Sequence, residues 1–231
     1  MNWFKLASTG SQIETATSFI SRKIFNQILS GGGFSIGSVI VPSSIFPVKL
    51  VNKNIVVDYN ISELKKSNAK IIGKPVYVSG SFQTTKNSNL IILEIQVMNY
   101  FKNGIKKEYY QSLIMEMKSV IRHELEHLKD MHTGNIQENE DSGLNDKGTP
   151  VLERIRKYFL DPTEISAFVS EIWMDSKKTR TDFMKNLDNY INAVSKRLSI
   201  YYKIPLKDVG VLMPEVAQKW KAYAKERYHI I

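Results

Sequence analysis

His123, Glu124 and His127 lie in the run Ser119–Asp130, SVIRHELEHLKD. Residues four apart on a helix share one face, one turn above the other. His123 and His127 therefore offer two imidazoles to one metal ion. Glu124 lies about 100° round the helix from His123, where it can reach a water on that ion. This is the HExxH pattern, in which two histidines bind a metal and the glutamate serves as general base. Zinc suits neutral imidazole and carboxylate ligands in a tetrahedral site with one open position. The chain has four histidines, His123, His127, His132 and His229, so chance is a weak rival to the motif. The competing reading is a solvated helix face that merely carries charge.

Two histidines do not complete a catalytic zinc site; a third protein ligand is needed. His132 follows His127 closely, but Asp130 and Thr133 stand where the metzincin pattern needs a glycine and a histidine. A carboxylate on a later helix is the remaining option. HELEH followed by a glutamate-bearing helix resembles the gluzincin class of zinc metallopeptidases. Tyr158–Phe168, YFLDPTEISAF, looks like the Tyr…Pro-x-Glu-Ile-x-Ala stretch of small predicted metallopeptidases in phage and bacterial genomes. That likeness implies Glu164 as the third ligand. Glu171 is the rival, since with Asp175 it matches the Glu-x-x-x-Asp of thermolysin-like enzymes, where the Asp orients the first histidine.

The resemblance spans roughly residues 75–176 in two short motifs. It implies a zinc-dependent metallopeptidase acting on a protein or peptide, with His123, His127 and Glu164 holding Zn²⁺. Glu124 would take the proton of a zinc-bound water and pass it to the leaving amine. A donor should stabilise the oxyanion. Tyr158, one short turn ahead of the glutamate helix, is the candidate, and His132 is the alternative. The plain reading of Tyr158 is a half-buried aromatic beside Phe159. Glu126, inside HELEH, is expected to face solvent.

The elements that must position these groups follow from periodicity. Leu113, Ile114, Met117, Val120, Ile121, Leu125 and Leu128 make a broad apolar face over a helix at 108–131. Ahead of it, PVYVSGSFQ (75–83) alternates, with Val76, Val78, Gly80 and Phe82 on one side, and LIILEIQVM (90–98) is β-branched and apolar. The polar link between them is short enough for a hairpin. Such a hairpin could offer an edge to an extended peptide by strand addition, or lie wholly inside the sheet. Ile55–Tyr59 reads as a further strand and 61–69 as a short helix capped by Ser62. Residues 11–29 form an amphipathic helix ended by Gly31, Gly32 and Gly33. Residues 132–150 read as an acidic surface loop. Helices are expected at 151–160, 163–177, 181–200 and 214–227, with Asp161 capping the second and Pro162 in its first turn.

The expected fold class is α+β. A small zincin-like domain, a mixed or antiparallel sheet on an active-site helix, precedes a mainly helical C-terminal part. The expected divisions are an N-terminal helix and connector (1–35), the metallopeptidase domain (36–178) and a helical extension (179–231). The 231 residues can bury a sizeable core. With no cysteine, disulfides, thiolate ligands and a cysteine nucleophile are all excluded. The net charge of +9 and the tyrosines 109, 110, 201 and 202 fit a second function. In it, a nucleic-acid- or virion-associated protein keeps a zincin fold whose zinc is structural or vestigial. The lysines are dispersed, however, as on an ordinary solvated surface. Met1–Leu6 lacks the basic start and apolar core of an export signal, so none is expected, and no stretch approaches a membrane span. The expected location is cytoplasmic or virion-associated.

Overall fold

The computed structural model describes residues 3–30, 36–41, 45, 54–84, 88–100, 104–132 and 148–229. They fall into two compact units, Met1–His132 and Thr133–Ile231. The class is mixed α+β, with one four-stranded sheet and seven α-helices among the described residues. The polar hairpin link (85–87), the glycine connector (31–33) and most of the acidic loop (133–147) lie outside them.

The first unit runs α1 (Trp3–Ser30), β1 (Ile36–Val41), β2 (Asn54–Leu64), α2 (Lys66–Ile72), β3 (Val76–Thr84), β4 (Ser88–Met98) and α3 (Tyr110–His132). Its sheet has the order β1-β2-β4-β3. The outer pairs are antiparallel, and the central pair, β2 with β4, is parallel. Strand alternation explains which face is covered. Ile91, Leu93, Ile95 and Val97 of β4 are buried, while Glu94 between them is exposed. Ile55, Val57, Tyr59 and Ile61 repeat the pattern on β2. Against these residues α1 brings Ile13, Ala16, Ile20, Ile24 and Ile28, and α3 brings Leu113, Met117, Ile121, Leu125 and Leu128. Each Leu, Ile or Met among them contributes about 1.5–3 kcal/mol by leaving water. Together they seat α3 firmly on the sheet.

The hairpin exists, since β3 pairs antiparallel with β4; its first strand, β3, lies at an edge of the described sheet, and its second is interior. One expectation changes. Residues 61–64 continue β2 instead of opening a helix, because they pair in register with Ile95–Met98 and bury Ile61 and Leu64. Ser62 is thus a strand residue, and α2 starts only at Lys66, with Lys65 at its N-cap position.

The second unit is all helical: α4 (Val151–Leu160), α5 (Pro162–Thr179), α6 (Phe183–Tyr201) and α7 (Leu206–Tyr228). Its core gathers Ile155, Phe159, Val169, Leu187, Val209 and Val216 around Trp220. Trp220 is fully buried, stacks on Phe168 at 5.1 Å, and donates its indole N–H to the Phe159 carbonyl at 2.9 Å. That bond satisfies both the buried indole and a carbonyl in the last turn of α4. α7 begins well before the expected Pro214, which sits inside it. Val209, Leu212 and Met213 are buried with Val216 and Trp220, so core packing outweighs the backbone bond that Pro214 removes.

The observed division at His132 differs from the expected ones at 35 and 178. The physical reason is that α1 shares the first core and α5 shares the second. No helix among the described residues is long and apolar enough to cross a membrane.

Candidate metal centre

Residues 121–126 of α3 are all buried, an unbroken run through Arg122, His123, Glu124 and Glu126. A solvated charged face would leave these groups in water, so that reading fails. Nε2 of His123 lies 3.1 Å from Nε2 of His127, and the two rings meet edge to face at 4.7 Å. Zinc–nitrogen bonds of about 2.0–2.1 Å in a tetrahedral site place two ligand nitrogens about 3.3–3.4 Å apart. The pair thus stands close to the separation that two ligands of one small cation require. With a carboxylate, the donor set is the borderline kind that zinc favours.

Glu124, 5 % exposed, projects toward the sheet edge. A Cβ placed on Gly80 of β3 would stand 2.9 Å from its Oε1 and 2.5 Å from Val120 Cγ1. The general-base candidate therefore lies against a strand that is at an edge of the sheet among the described residues.

Glu126 departs from expectation. It is 2 % exposed, not solvated. Arg122 reaches it at 3.4 Å and reaches Glu14 of α1 at 2.8 Å, while Lys129 closes on its other oxygen. Two cations and two carboxylates balance, which is how buried charge is tolerated. The cluster ties α3 to α1 and restricts rotation of α3.

In the second unit, Glu164 occupies the first turn of α5 and is 8 % exposed. The local cause was legible. Asp161 is the N-cap, and its Oδ1 accepts from the Thr163 backbone N–H at 2.8 Å and from the Thr163 hydroxyl at 2.6 Å; Pro162 opens the helix. The N-terminal end of a helix favours a carboxylate there. Glu171 lies two turns further along and is half-buried. Tyr158, in the last turn of α4, is half-buried and packs edge to face on Phe159 at 5.0 Å and Phe168 at 6.0 Å. His132 ends α3, and its side chain is outside the described residues.

Gly80, Arg122 and Glu14 escape a motif reading. Only Gly80 had a signal, since a lone glycine in an otherwise regular strand often marks close approach of another group. No protein-family model, curated protein or solved structure matches the chain.

Proposed function

We propose that the protein is a zinc metallopeptidase whose first unit is zincin-like. In this reading His123, His127 and Glu164 hold the ion and Glu124 is the general base. The observation that carries it is the pair His123 and His127, whose Nε2 atoms stand 3.1 Å apart on one helix, with the buried carboxylate of Glu124 beside them. A zinc ion held there supplies Lewis acidity, polarising a peptide carbonyl and lowering the pKa of an attacking water toward ~7.

This chain's residues do the rest. Glu124 accepts the proton of the attacking water and delivers it to the departing amine. Its burial keeps bulk water from competing for that proton. β3, an edge strand of the sheet among the described residues, is where an extended peptide is held by main-chain hydrogen bonds, as in strand addition. Tyr158 is the candidate donor to the developing oxyanion, with its ring braced by Phe159 and Phe168. His132 is the alternative donor. The substrate is a protein or peptide.

The test is metal analysis of protein purified without added metal, joined to cleavage of casein with and without a chelator. About one zinc per chain, loss of most of it in Glu164→Ala, and cleavage abolished by chelator are expected. A metal-free wild type that cannot be loaded with zinc, or cleavage indifferent to chelator, overturns the reading.

A further inference from the structure

We infer that Gly80 is a positioning residue for Glu124, an inference that rests on the peptidase reading. The strand position itself would accept a side chain. Its φ is not in the left-handed range, which among the described glycines is found only at Gly73 and Gly104. Gly80 lies opposite Leu93 in regular antiparallel pairing, on the side of β3 that presents Val78 and Phe82. Glycine weakens a strand interior, so backbone conformation does not account for it. Proximity does. A Cβ at position 80 would meet Val120 Cγ1 at 2.5 Å, Glu124 Oε1 at 2.9 Å and Glu124 Cγ at 3.1 Å.

Val120 and Glu124 are one turn apart on α3, so both face β3. α3 cannot back away easily. Leu113, Met117, Ile121, Leu125 and Leu128 fix it in the core, and Arg122 ties it to Glu14 of α1. A side chain at 80 must therefore be accommodated mainly by Val120 and by the Glu124 side chain. Of the two, only the carboxylate takes part in the proposed chemistry. A misplacement of about 1 Å in a reacting group can lower a rate about 10²-fold. The absence of a side chain at 80 leaves the volume that the base occupies, and so holds its carboxylate at the strand edge.

The experiment separates packing from positioning with Gly80→Ala, Val120→Ala and the double variant. Val120→Ala removes the closer clash and leaves the carboxylate contact. In the double variant we expect kcat to fall at least about tenfold below that of Val120→Ala. KM and zinc content should stay close to those of Val120→Ala. A kcat within about twofold of Val120→Ala overturns the positioning role.

A second arm needs no activity. Gly80→Ala should lower the thermal midpoint in the Val120→Ala background, and markedly less in Val120→Ala/Glu124→Ala, where the carboxylate is gone. Equal drops in the two backgrounds overturn the contact. A wild type without chelator-sensitive cleavage instead overturns the peptidase reading, and the base role with it. The thermal arm still reports whether Gly80 abuts Glu124, so the two failures are distinguishable.

Discussion

Two side chains one helical turn apart, with Nε2 atoms 3.1 Å from each other, define the site at the level of residues. In the proposed reading their neighbour Glu124 has a separable role. Glu124→Gln is expected to retain zinc while lowering peptide hydrolysis by about 10²–10⁴-fold, the usual contribution of a general base. Metal content and kcat measured on the same preparation check this, and full activity in the Gln variant removes Glu124 from that role. His123, Glu124 and His127 were legible in the sequence because helix geometry relates them within five residues. Glu126 was not. The same helix carries it, yet its burial depends on Arg122, Lys129 and Glu14, and Glu14 lies 108 residues from Arg122 in sequence. A motif states what a residue type can do at a given spacing; it does not state what surrounds it.

At the level of elements, α3 is held by apolar contacts with the sheet and by one buried ionic cluster with α1. The cluster yields a prediction of its own. Arg122→Met leaves Glu126 buried with only Lys129 beside it, and is expected to destabilise the protein by about 3–5 kcal/mol, as removal of one member of a buried ion pair does. Arg122→Met/Glu126→Leu removes both charges and should recover most of that loss. Urea unfolding of the three proteins checks this. A single variant within ~1 kcal/mol of wild type would show that the cluster is not what fixes the helix. Element ends were partly legible. Asp161-Pro162 read as a cap and first turn because capping is local, and the Asp161–Thr163 hydrogen bonds match. The end of β2 was not legible. Ile61–Leu64 has a composition that suits helix or strand, and pairing with Ile95–Met98 selects strand.

At the scale of the whole molecule there are two units with separate cores, and each has its own determinants of stability. In the second, Arg156 of α4 grips Glu215 of α7 through two hydrogen bonds of 2.9 and 2.8 Å. The side-chain hydrogen bond from Arg156 holds the Glu215 carboxyl below the usual carboxylate range. A carboxyl depressed on folding adds stability above its unfolded pKa, near ~4.3, and that stability is lost as pH falls through the folded value. Glu215→Gln should therefore flatten the acid limb of the thermal midpoint, with a small amplitude that salt reduces, since the pair is exposed. Identical pH profiles for the two proteins would discount the pair.

By itself the sequence determined what short-range covalent geometry can relate: the histidines and glutamate of HELEH, the cap before Glu164, the alternation along 75–83 that buries Val76 and Val78. The tertiary structure alone decided which strand of the hairpin lies at a sheet edge, what packs against Gly80, and where Glu126 finds its partners. Each of those depends on segments distant in the chain meeting in space, and local propensity carries no record of such meetings.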